Sequence, residues 1–251
     1  MVLSGTIDIR ADGNVEGFSL ANQKRVDPGI AAFLSRTIGK WRFEPVMHEG
    51  RAVPARTPVS VRLVARSLSA DETEIRLRSA SFQIYDDQAT DSVRKLRMAA
   101  PTFPAEALEM NGGGEVVLLV KVDRNGAAVD VAAEQVNLQF YGSTNDMRKM
   151  SDVLTRSASR AARRWTFLVP TSGDYVDASF WTVRVPVNFA YSLQEERYGR
   201  WQAYMPGPRQ KAAWLAEGSD DGLASDALAD GGVYMVGVDK GPRLLTPLQE
   251  G

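Results

Sequence analysis

One structural unit is written twice in this chain of 251 residues, and that doubling limits the folds open to it more than any other feature. In the first copy Gly5-Thr6-Ile7-Asp8-Ile9-Arg10 alternates into the turn Ala11-Asp12-Gly13-Asn14, and Val15 to Leu20 returns. In the second, Val116, Leu118, Val120 and Val122 alternate with Val117, Leu119 and Lys121, Asp123-Arg124-Asn125-Gly126 turns, and Val129 to Ala133 returns. An Asx-Gly turn between alternating runs predicts a β-hairpin, because glycine accepts the positive φ that tight turns require.

Each hairpin leads to a helix. Asp27 is placed to cap and Pro28 to open the first, whose Ile30, Phe33, Leu34, Thr37, Ile38 and Trp41 recur at three- and four-residue spacing. Ser143-Thr144-Asn145-Asp146 offers the cap of the second, with Met150, Val153, Leu154, Ser157, Ala158 and Ala161 inward and Arg148, Arg156, Arg160 and Arg163 outward. After each helix come an aromatic pair two residues apart, a polar turn and a further alternating strand. These are Trp41/Phe43 then Val59 to Leu63, and Trp165/Phe167 then Val183 to Phe189. The expected fold class is α+β: two tandem β-β-α-β units, each a small antiparallel sheet with a helix packed on one face. The expected boundaries are 1–66 and 101–191 for the copies, 67–100 for a connector with some strand of its own, and 192–251 for a tail, partly docked or disordered, that holds 9 of the 21 glycines.

Composition removes most enzymes. There is no Cys and one His, so thiolate chemistry, Cys-ligated zinc and multi-His sites are ruled out, and a Ser-His-Asp relay would have to pass through His48. His48 lies among turn residues with no nucleophile motif beside it and reads as a solvent-exposed turn residue. Gly112-Gly113-Gly114 lacks the Lys-Ser/Thr of a phosphate loop, and Asp86/Asp87 and Asp220/Asp221 have nothing to desolvate them. No catalytic, metal or cofactor site is expected. A net charge of -1 argues against a nucleic-acid binder, and no apolar run approaches the ~20 residues that span a bilayer. The Trp/Phe pairs read as core filler beneath a helix and the arginines at 148, 156, 160, 163 and 164 as a solvated face. Trp201, Tyr204 and Trp214 in the tail can dock back onto the protein or onto a partner, and the sequence does not choose.

Several of these residues carry a resemblance. Pro101-Thr102-Phe103-Pro104, Ala107, Gly114, Val116 to Asp123, Gly126, Val129, Trp165-Thr166-Phe167 and Val183 to Phe189 together resemble the C-terminal domain of the TonB energy-transducer family. The first copy is similar through Asp12-Gly13, Trp41-Arg42-Phe43-Glu44-Pro45, Gly50 and Val59 to Leu63, and lacks the Pro-x-aromatic-Pro opening. The second departs in an insertion around Asn137 to Asp146 and in Leu168-Val169-Pro170, where the family has Glu-Pro. A complete transducer would also carry an N-terminal transmembrane helix and a Pro-rich spacer, which this sequence lacks.

The resemblance implies a non-enzymatic periplasmic module of a Gram-negative envelope. It would recruit an envelope protein, or an extended peptide of an outer-membrane protein, as an added strand at a sheet edge. Carried over by position, the binding strand comprises Thr182, Val183, Arg184, Val185, Val187, Asn188 and Phe189, with a second edge at Val59, Ser60, Val61, Arg62 and Leu63. Pro186 removes a ladder donor, which suits an edge strand. The alternative is a scaffold or assembly subunit whose sheet edges are used in self-association as a homo-oligomer.

Overall fold

The computed structural model describes residues 1–69, 72–190, 197–215, 224–238 and 240–248. Among these the chain is mixed α+β, with antiparallel sheets and few helices. It divides into two units, one formed by Met1–Ile84 with the described parts of Ser192–Trp201 and Asp239–Gly251, the other by Tyr85–Tyr191 and Gln202–Val238. Two expectations change. The 67–100 connector is cut at Ile84/Tyr85 and shared between the units, and the described tail belongs to both.

In the first unit, strands β1 (Val2–Ile9), β2 (Val15–Leu20), β5 (Ala55–Ser67) and β6 (Thr73–Ser81) form one sheet in the order β2-β1-β5-β6. β3 (Met47–His48) and β4 (Arg51–Ala52) make a separate exposed hairpin that holds His48. Helix α1 (Pro28–Ile38) starts where Asp27 Oδ1 accepts from the amides of Gly29 (2.8 Å) and Ile30 (3.2 Å), which satisfies two N-terminal donors. Its Ile30, Leu34 and Ile38 share a core with Leu3, Ile7, Ile9, Val59, Val61 and Leu63. Trp41, Phe43 and Phe82 close that core edge-to-face, with centroids 5.1–6.3 Å apart. β1 buries one face only, and its outward Asp8 pairs across strands with exposed Arg56.

In the second unit β8 (Gly114–Asp123), β9 (Ala128–Leu138), β11 (Phe180–Phe189), β12 (Met205–Pro206) and β13 (Tyr234–Met235) form a sheet in the order β12-β9-β8-β11-β13. A small ladder joins β7 (Arg94–Arg97) to β10 (Thr166–Leu168), and the short helix α2 (Ala105–Glu109) precedes β8. Helix α3 (Thr144–Ala162) opens with a reciprocal Ser143–Asp146 capping box. Its Met150, Val153, Leu154, Ala158 and Ala161 share the core of Val116, Leu118, Val120 and Val122 and of the odd-numbered residues of β11.

The two hairpins have the same local construction. Gly13 and Gly126 lie at φ +83° and +78°, and a Cβ at either would collide with the carbonyl of Phe43 or Phe167. Each of those phenylalanines donates its amide to the facing glycine carbonyl at 2.8 Å. Asp12 and Asp123 accept from the amides of Asn14 and Asn125. The register of each ladder slips at a corresponding step, between Asp8 and Ile9 and between Lys121 and Val122.

Candidate functional site

β11 is the strand on which the expected binding residues fall. It pairs with β8 along its whole length, from Phe180↔Asp123 to Phe189↔Gly114. Strand periodicity turns Val183, Val185, Val187 and Phe189 into the α3 core and Thr182, Arg184, Pro186 and Asn188 to the other face.

That other face is covered as well. Val117 and Leu119 on β8 are as fully buried as their neighbours on the helix side, because described segments of the tail cross the sheet there. Trp214 Nε1 donates to Thr182 Oγ1 at 3.1 Å, and Ser225 Oγ donates to Gln135 Oε1 at 2.9 Å. Along the far edge, Met205 pairs with Leu138, the Gly207 amide reaches the Val136 carbonyl at 2.9 Å, and the Gln210 amide reaches the Glu134 carbonyl at 2.7 Å. The tail thus follows the β9 edge before it crosses towards β11.

An ion cluster fastens this layer. The β8–β9 register shifts between Val117 and Leu118, which leaves Glu134 as the extra residue of a bulge aimed into the covered face. Arg184, 1% exposed, holds the Glu134 carboxylate by Nε (2.7 Å) and Nη2 (3.0 Å), and Arg209 from the tail adds Nε at 2.9 Å. Two guanidiniums on one carboxylate, itself 3% exposed, balance most of the desolvation that burial of these charges costs. The side chains of Arg184 and Thr182 are therefore committed internally, and sequence reasoning could not have named Glu134 or Arg209 as their company.

Among the described residues, β11 is paired on its outer side at one end only. There β13 pairs at Val183↔Met235 and Arg184↔Tyr234, and the Val236 amide donates to the Thr182 carbonyl at 2.9 Å. From Val185 to Phe189 no described strand lies alongside. Pro186 contributes no amide there, and Asn188 Oδ1 is a buried acceptor without a hydrogen-bond partner. Phe103 meets Phe189 edge-on at 5.9 Å near the end of this stretch. Burial pushes the Tyr234 phenol up to about 12, with Asp230 and Tyr85 nearby adding to the shift.

Of the second expected edge, Ser60 to Leu63 are internal to the sheet and Val59 has no β6 partner. Val59, Val61 and Leu63 are core residues of β5, and Ser60 to Leu63 lie between two neighbours, β1 and β6. The connector's Ile75-Arg76-Leu77-Arg78 is a strand, as its alternation predicts, but it folds back onto β5 and becomes the edge itself. Arg156 and Arg160 on α3 and Arg164 just after it line a groove of about 360 Å³ with Thr102, Phe103 and Pro104. Asp220/Asp221 lie outside the described residues. Among the described residues no helix is long and apolar enough to cross a membrane.

Comparison with known proteins finds similarity to Protein TonB from two strains of Xanthomonas campestris pv. campestris, B100 and ATCC 33913, each 33% identical over 105 residues. The match covers 42% of this chain and 41% of each relative, so the chain spans about two fifths of the length of the curated relatives it matches. No family model matches, and no solved structure matches.

Proposed function

We propose that this chain is a non-enzymatic protein-binding module of a Gram-negative envelope, located in the periplasm, that takes up an extended peptide of an outer-membrane protein as a strand along β11. The observation that carries this reading is the outer side of Val185–Phe189, where a strand paired with β8 along its whole length has no described strand beside it. The distant similarity to TonB supports an envelope partner over an unrelated one.

The reading includes a duplication: both units descend from one β-β-α-β pattern resembling the TonB C-terminal domain. Shared strand order, shared glycine-phenylalanine locks and a shared bulge position support it. Independent ancestry would not be expected to repeat all three. In this reading the partner strand is taken up by the second unit.

The test is backbone amide NMR on the full chain with synthetic peptides from the N-terminal segments of outer-membrane transporters. Perturbations centred on Val185 to Phe189 are expected. Perturbations confined to Trp201, Tyr204 and Trp214 would overturn strand addition in favour of an aromatic tail site.

A further inference from the structure

The short strand β13 occupies part of the edge that the proposed partner needs, and the inference drawn from it rests on that reading of β11. Val233, Tyr234 and Met235 are all at least nine-tenths buried, yet the ladder they make is two residues long. Met235 faces the α3 core opposite Val183, and its sulfur accepts from the Val93 amide at 3.3 Å. Tyr234 lies opposite Arg184 on the other face and meets Tyr85 edge-on at 6.3 Å. Turns at Gly231 and Gly237, both at positive φ with open space around them, bracket the segment. A two-residue strand between glycine turns is a marginal structure, since ladders this short gain little from pairing.

We infer that Val233–Val236 is a displaceable internal ligand: it occupies the Thr182–Arg184 end of the β11 edge, and a partner peptide pairs along the whole strand only after this segment leaves. The segment also defines the chemistry of that partner. An incoming strand must present an apolar, flexible side chain such as methionine opposite Val183. It must also place an aromatic opposite Arg184 and an amide at the Thr182 carbonyl. The stretch beyond Arg184, where β13 does not reach, lengthens the ladder of an incoming strand once the segment has left.

Residence in cis makes the segment a strong competitor, because a tethered ligand acts at a high effective concentration. Binding in trans is therefore weakened by the fraction of molecules whose edge is occupied.

The absence of cysteine allows a clean test, since one introduced pair gives one defined disulfide. Val183→Cys with Met235→Cys joins two residues that face each other across the ladder and locks the segment in place when oxidised. A second variant, Val236→Pro, removes the amide that reaches Thr182 and loosens it. The probe is a labelled peptide with the chain's own sequence from Ala229 to Val238, titrated against the full-length protein.

The reduced double-cysteine protein should bind it and the oxidised protein should not, with recovery on adding thiol reductant. Val236→Pro should bind about tenfold tighter than the unaltered chain. Equal binding by oxidised and reduced forms, or binding by neither, overturns the inference. Running the transporter peptides on the same two forms separates it from the functional reading. If they perturb Val185 to Phe189 equally in both forms, the edge is a partner site and the internal ligand is not a gate. If they perturb neither form while the tail peptide binds only when reduced, the gate stands and the proposed partner class fails.

Discussion

The third strand of each sheet is closed on its outer side, and the two closures differ in kind. β5 is covered by the nine-residue β6, to which it is joined directly between Ser67 and Thr73. β11 is covered by the two-residue β13, which arrives from far along the chain. A hairpin neighbour needs little loop closure and is repaid by a long ladder, whereas a distant two-residue strand has a larger closure cost and a smaller return. The same topology thus gives one strand closed from Ser60 to Ser67 by a long ladder and one closed at a single end by a short ladder that can open. The faces differ in parallel. Outward positions of the first sheet hold Ser4, Thr6 and Asp8, while the corresponding face of the second buries Val117 and Leu119 under the tail.

The largest effect should come from the ion cluster of the second unit. Glu134→Leu leaves Arg184 buried without its carboxylate, and removing one partner of a buried pair costs about 3–5 kcal/mol. Urea denaturation followed by amide hydrogen exchange should show the loss in β8, β9 and β11, with β1 and β5 unchanged. A loss spread over both sheets would mean that the two units do not unfold separately.

Next in size is the contrast between the closing strands. Leu77→Ala in β6 truncates a core residue of a long ladder and should cost about 2–4 kcal/mol across the first sheet. Met235→Ala removes a similarly buried side chain, but the loss is capped at the free energy of docking β13, because the strand can detach instead of holding a cavity, so it should be smaller than that of Leu77→Ala. Equal losses measured by denaturation midpoint would break the comparison.

The hairpin locks test what the two units share. Gly13→Ala and Gly126→Ala each place a Cβ against a phenylalanine carbonyl at positive φ, and each should cost about 1–3 kcal/mol in its own unit. Similar values would sharpen the case for a common pattern. A large loss at one position and none at the other would separate the two turns.

Those turns were legible because their signal is local. Asp12-Gly13 and Asp123 to Gly126 declare a positive-φ turn whatever surrounds them, and Asp27-Pro28 and Ser143 to Asp146 declare helix starts. The edges were not legible, since which strand lies beside β5 depends on where the chain goes after Ser67, and alternation in Ile75 to Arg78 says only that a strand exists. One non-local fact was written in the sequence. Val116 to Val120 is an unbroken apolar run, the pattern of a strand buried on both faces, and it required a cover for the second face that the glycine-rich tail supplies. The Glu134–Arg184–Arg209 cluster had no such signal, because it joins a bulge, a strand and a tail loop that only the folded chain brings together.

The smallest effect is a dependence on alkaline pH that should be confined to the second closure. Tyr234 titrates near 12 in the docked strand against an ordinary value of 10, so docking favours the neutral phenol. A group whose docked pKa is raised contributes fully below its free value and loses that contribution as pH rises through the docked one, so the window runs from pH 10 to about 12. At pH 11 the docking equilibrium should be weakened about tenfold, equivalent to ~1.4 kcal/mol. β6 contains no tyrosine, so the first edge has no matching switch. The phenolate absorbance of the unaltered chain minus that of Tyr234→Phe isolates this one group. A midpoint near 12 supports a docked β13, while a midpoint near 10 would show the strand already free in solution and the second edge already open.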